Sequence, residues 1–136
     1  VARFAEGLNC SQAVFAAFAQ RLGLGEDTAR KVASGFGGGM GRMGHTCGAV
    51  SGAFMALGLR YGPATADGPA KDALYAKIRQ FAERFAARHG ALDCRDLLGF
   101  DLSNPEDAKR ARELDLFKTR CPAFVRDAAA IVDEML

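Results

Sequence analysis

The residues that could do chemistry in this chain are four cysteines, Cys10, Cys47, Cys94 and Cys121. Each stands where the local sequence starts a helix. Cys10 follows Asn9 and leads into Ser11-Gln12-Ala13-Val14, and Cys47 follows Thr46 and leads into Gly48-Ala49-Val50. Cys94 follows Asp93, and Cys121 precedes Pro122, a residue type suited to the first helical position. A helix start offers unpaired backbone N–H groups and about half a positive charge. Both favour the thiolate, the form that attacks disulfides and binds metals. Burial as small hydrophobes would suit one or two such cysteines. Four at four helix starts point to one redox or metal centre.

The spacing is C-x36-C-x46-C-x26-C. It contains no C-x-x-C pair, so it is neither a zinc ribbon nor a thioredoxin-type motif. Only a tertiary fold can bring these sulfurs together. Between the first two lies a glycine-rich loop, Gly35 to Gly44, whose N–H groups could hydrogen-bond to a thiolate or to the sulfurs of a cluster. Within it, Gly39-Met40-Gly41-Arg42-Met43-Gly44 has the form G-x-G-x-x-G, but the preceding Ala29-Arg30-Lys31-Val32-Ala33 reads as helix. The dinucleotide fingerprint requires a strand there, so the loop is read as one that lets backbone approach closely. His45, two residues before Cys47, is a candidate metal ligand or proton relay, although four cysteines already complete a ligand set. His89 falls in the last turn of a helix and suits its dipole.

The elements that must position these residues read as helical almost throughout. Helices are expected over Ser11–Leu22, Glu26–Ser34, a segment capped by Thr46 and running to Leu59 or Tyr61, Ala70–His89, a short turn begun by Asp93, Asn104–Lys118, and a last helix from Pro122. Gly23 with Gly25, Gly90 and Gly99 mark helix ends. The helix after Cys47 carries Gly48, Gly52 and Ala56 four apart and is apolar nearly all round, which marks a central buried helix. The ten phenylalanines fall at helical spacing and are read as core. No alternating strand is expected. The fold class is all-α, one domain over residues 1–136, with about six or seven helices and a glycine-rich loop before the central helix.

Composition bounds the partners. A chain of 136 residues with 49% apolar and 25% charged residues can bury a core without disulfides. A net charge of +2, with no run of five or more like charges, gives no basis for nucleic acid or an anionic membrane. The glycines within the apolar stretch Val32–Leu59 argue against a membrane span. The charged start, Val1 to Gly7, lacks the apolar core of a signal peptide. A reducing cytoplasm is the expected compartment, where scattered cysteines are more often catalytic or metal-binding than structural.

Asn9-Cys10-Ser11-Gln12-Ala13-Val14, the loop Ala33 to Gly41, Thr46-Cys47-Gly48-Ala49-Val50-Ser51-Gly52, and then Cys94 and Cys121 together resemble the C_GCAxxG_C_C family across essentially the whole chain. One detail departs from the family's name: the chain reads C-G-A-x-x-G where the name has G-C-A-x-x-G. The resemblance implies a small prokaryotic redox-active protein, typical of anaerobes, whose functional cysteines are Cys10, Cys47, Cys94 and Cys121. It also implies a link to iron–sulfur binding through a related domain fused to cytochrome-type modules.

Three functions follow as expectations. In the first, all four thiolates bind an iron–sulfur cluster, [2Fe–2S], for electron transfer to a redox partner protein. In the second, the protein is a thiol–disulfide protein with Cys47 as the reactive thiol, because it sits between the flexible loop and the most apolar helix. In the third, the four cysteines hold zinc in an interaction module.

Overall fold

The computed structural model describes residues 2–136, with side chains from Phe4 onward. The helices are α1 (Ala2–Ala5), α2 (Cys10–Ala19), α3 (Glu26–Ala33), α4 (Gly48–Tyr61), α5 (Gly68–His89), α6 (Cys94–Leu98), α7 (Pro105–Glu113), α8 (Leu116–Thr119) and α9 (Cys121–Met135), with a 3-10 turn, Ser34–Phe36, after α3. Seven of them have five residues or more, and no strand occurs among the described residues. The all-α reading holds. No described helix is long and apolar enough to cross a membrane.

The sequence explains most boundaries. Asn9 caps α2 through a reciprocal box: its side chain accepts from the Gln12 N–H at 2.9 Å, and its own N–H donates to Gln12 Oε1 at 3.0 Å. Asp67 caps α5 and Asn104 caps α7, each followed within two residues by a proline. Gly90 and Gly99 end α5 and α6 with φ of 85° and 77°, in the left-handed region where a side chain is strained.

Three local expectations differ from the structure. Thr46 does not cap α4. Cys47 holds the N-cap position, and Thr46 instead forms an isolated antiparallel bridge with Asp93. The helix expected to run to Lys118 breaks at Asp115, which adopts φ of 58°, so that a separate turn, α8, precedes Cys121. The first helix ends at Ala19 rather than Leu22, and residues 20–22 form a looser turn, with Leu22 N–H donating to the Phe18 and Ala19 carbonyls at 3.1 Å, before Gly23 at φ of 92° reverses the chain.

Helix α4 is central, packing against α2, α9 and α5. Its small residues make this possible. A Cβ on Gly52 would lie 2.6 Å from the Ser11 carbonyl oxygen, and one on Gly48 would lie 2.8 Å from the Ser11 nitrogen. The α2 backbone therefore runs directly against the Gly48–Gly52 stripe. On the other sides Leu57, Phe81, Phe85, Ile131 and Val132 are fully buried. Each such side chain contributes about 1.5–3 kcal/mol of hydrophobic stabilisation. His89, at the end of α5, donates a 2.9 Å hydrogen bond from Nε2 to the Asp127 carboxylate of α9 and packs against Phe85 and Phe124. It is a structural tie between these two helices.

Candidate redox site

The four cysteines line one cavity of about 700 Å³. Each starts or caps its helix: Cys10 is the first residue of α2, Cys94 of α6 and Cys121 of α9, and Cys47 is the N-cap of α4. All four are free thiols. Cys10 is half-buried, and the other three are buried.

Cys10 and Cys121 approach to 4.3 Å, close for residues on separate helices but well beyond the ~2.05 Å of a disulfide. Cys47 and Cys94 are placed by the bridge between Thr46 and Asp93. The Cys47 N–H donates to the Leu92 carbonyl at 2.8 Å, and the Cys94 N–H donates to the His45 carbonyl at 2.6 Å. In such a pairing Cys47 and Cys94 are diagonal neighbours, with backbones roughly 7 Å apart. Among the described residues, no three Cys, His, Asp or Glu side chains converge as a single metal ion would need.

The loop supplies the cavity wall. Gly38, Gly39, Met40, Gly41 and Arg42 all have φ between 57° and 72°, one turn of left-handed backbone. The turn is closed by Gly44 N–H to Gly38 carbonyl and His45 N–H to Gly39 carbonyl bonds of 3.2 and 2.9 Å. Gly39 is the point of closest fit: a Cβ there would lie 2.7 Å from both Cys94 Cβ and the His45 backbone. The Cys10 side is held by Asn9, whose amide donates to the Ser34 carbonyl at 3.0 Å, and by Gln12, whose amide donates to the Arg30 carbonyl at 3.0 Å. Asn9 packs on Gly37, where a Cβ would clash at 2.7 Å.

Helix starts do not by themselves set thiol acidity here. At Cys47, burial pushes the thiol up to about 11, although the N–H groups of Ala49 and Val50 pull the other way. Burial likewise pushes Cys94 to about 12, helped by the neighbouring charges of Cys47, Cys121 and Asp93. Cys10 is held well above an ordinary thiol, first by hydrogen bonding to Cys121 and then by burial and the other three sulfurs. Cys121 alone is lowered: Cys10 donates to it and the Arg120 guanidinium favours its charge, together outweighing burial. Desolvation therefore wins at Cys47 and Cys94, and the hydrogen bond with Cys121 leads at Cys10. The acidic thiol of the structure is Cys121, where the sequence points first to Cys47.

Sequence reasoning also passed over the cavity's cations. Arg42, Arg112 and Lys118 line it, and among the described residues no Asp or Glu does. The three come from the loop, α7 and α8, so no run of charge announces them. Their ammonium and guanidinium groups have no carboxylate partner among the described residues. His45 is exposed and contributes its backbone, not its ring, to the cavity's construction.

Fold and site together define an all-α domain whose four cysteines line one cavity that also carries Arg42, Arg112 and Lys118. The profile of the family described as "Putative redox-active protein (C_GCAxxG_C_C)" matches residues 8–135, and the chain belongs to that family. No curated protein and no solved structure matches it.

Proposed function

We propose that the four cysteines form one redox centre and bind an iron–sulfur cluster, [2Fe–2S], for electron exchange with a partner protein. The observation that carries this reading is the shared cavity. All four thiols line it, with no carboxylate among the described lining residues to compete for iron and three cations to offset negative charge. The donor set fits. Four thiolates are the usual ligands of such a cluster, and two irons each take two. One tetrahedral zinc would require all ligands at about 2.3 Å from a single point, and no three of these side chains converge so among the described residues. Cys10, Cys47, Cys94 and Cys121 would hold the group, and it would supply one-electron transfer when bound. The residues do the rest. Ala49 and Val50 donate N–H bonds to the Cys47 sulfur, the left-handed loop covers the cavity beside Cys94, and Arg42, Arg112 and Lys118 balance charge at its edge. Because three of the thiols are held protonated, loading must release protons, and affinity must rise with pH.

Reconstitution with iron and sulfide under anaerobic conditions tests this. The expected result is two irons and two sulfides per chain, visible absorption that bleaches on reduction, and loss of that absorption in each Cys→Ser variant. A colourless, iron-free protein after both anaerobic purification and reconstitution sinks the proposal.

A second reading is favoured by the 4.3 Å approach of Cys10 and Cys121. In it these two form a dithiol that cycles to a disulfide, with Cys121 as the attacking thiolate and Cys10 as the resolving thiol. Thiol counting before and after a mild oxidant, with peptide mapping of the linkage, tests it. A linkage elsewhere, or none, counts against it.

A further inference from the structure

The cavity has room beyond what a dithiol needs, and its lining is one-sided in charge. About 700 Å³ is the size of a small-molecule site, not of a gap between two sulfurs. Its apolar wall includes Phe4, Leu8, Phe117 and Phe124, and its charged groups are cations only. Arg42, Arg112 and Lys118 have no carboxylate partner among the described residues. They come from three separate elements that converge on this one opening. Both thiols of the closest pair, Cys10 and Cys121, face the same space. Lys118 is three residues before Cys121 in the chain, and both line the cavity.

We propose that the cavity receives a small organic disulfide carrying carboxylate groups, and that the Cys10/Cys121 pair reduces it. This rests on the thiol–disulfide reading and adds a substrate class to it. The carboxylates bind the cations at the opening and the organic body packs on the phenylalanines. The Cys121 thiolate attacks one substrate sulfur, forming a mixed disulfide and breaking the substrate's S–S bond. The departing thiolate takes up a proton. Cys10, losing its proton, then attacks Cys121 of the mixed disulfide and expels the second substrate thiol. Two electrons pass from the cysteines to the substrate, which leaves as two thiols, while the protein keeps a Cys10–Cys121 disulfide. The substrate is itself the oxidant.

The test compares two aromatic disulfides on the metal-free reduced protein: dithiobis(nitrobenzoate), which is anionic, and dithiodipyridine, which is neutral. Each rate is divided by the rate of the same reagent with free cysteine. The expected result is a normalised preference for the anionic reagent of roughly tenfold or more, in line with electrostatic focusing in a charged cleft. In ~1 M salt, where the Debye length is about 3 Å, the preference should fall towards unity. Arg112→Gln with Lys118→Gln should lower it several-fold, with the far-ultraviolet dichroism checked for folding. The fast phase should release two reporter thiols per chain in the wild type and one in Cys10→Ser. If both reagents form the Cys10–Cys121 disulfide at equal normalised rates, the substrate class is overturned and the thiol–disulfide reading stands. If neither forms that disulfide, both are overturned. The salt series on the unaltered protein decides the charge question even where a variant does not fold.

Discussion

At the scale of single residues, the contest at each cysteine is between a helix start that favours charge and burial that opposes it. Burial wins at Cys47 and Cys94, which are pushed to about 11 and about 12, while Cys121 is lowered by Cys10 and Arg120. Site-resolved alkylation of the metal-free protein, read by mass spectrometry across pH, should therefore label Cys121 at lower pH than any other cysteine. Cys47 should stay slow until the pH approaches about 11. Equal labelling of Cys47 and Cys121 at neutral pH would contradict that order. Gly39 is the other decisive residue. Its φ of 72° and the 2.7 Å approach of an added Cβ to Cys94 leave no room for a side chain. Gly39→Ala should displace Cys94, destabilise the fold by about 1–3 kcal/mol and change the reactivity of Cys94 more than that of Cys10. Denaturant melts and the same alkylation experiment read both effects.

At the scale of elements, the packing of α2 on α4 sets where Cys10 and Cys47 meet the cavity. Gly52→Ala drives a methyl group to 2.6 Å from the Ser11 carbonyl oxygen and should destabilise by about 1–3 kcal/mol. Gly58→Ala, in the same helix with open space around it, should stabilise by about 0.5–1 kcal/mol through helix propensity. Opposite shifts in melting midpoint are the expected pair of results. Asn9→Ala removes the cap of α2 and the bond to Ser34, and should destabilise by about 1–2 kcal/mol. Much of this layer was legible in the chain. The apolar stripe with Gly48, Gly52 and Ala56 gave a central helix, and the Asn104-Pro105 and Gly90 signals gave true ends. The break at Asp115 was not legible, because an aspartate in the left-handed region carries no local warning as glycine does. The bridge between Thr46 and Asp93 was also hidden, since one pair of residues far apart in sequence has no period to detect. The convergence of the four sulfurs on one cavity was a wager on tertiary structure. Their acidity order depends on burial and on the Cys10–Cys121 hydrogen bond, and the cations reach the cavity from three separate elements. Neither is written in spacing.

At the scale of the whole molecule, the buried thiols make stability depend on pH. Below about pH 9 both folded and unfolded chains hold the Cys47 and Cys94 protons, and the full stability is present. As pH rises above the ordinary thiol value of 9.0, the unfolded chain ionises while the folded chain does not, until about 11 and about 12 are reached. Within that window the reduced, metal-free protein should lose up to about 1.4 kcal/mol per pH unit for each such thiol. Chemical denaturation at a series of pH values measures the slope, and Cys47→Ala should make it shallower. The approach of Cys10 to Cys121 has a different consequence, which belongs to polymer statistics. The two are 4.3 Å apart in space yet separated by roughly a hundred residues of chain, so a bond between them would tie the unfolded polypeptide into one large ring. For a ring of that size the lost chain entropy is on the order of 4–5 kcal/mol. At 30 mV per 1.4 kcal/mol, this corresponds to roughly 100 mV in the reduction potential of that pair. A chemist reading that potential and a biophysicist reading the melting curve would be measuring the same tether.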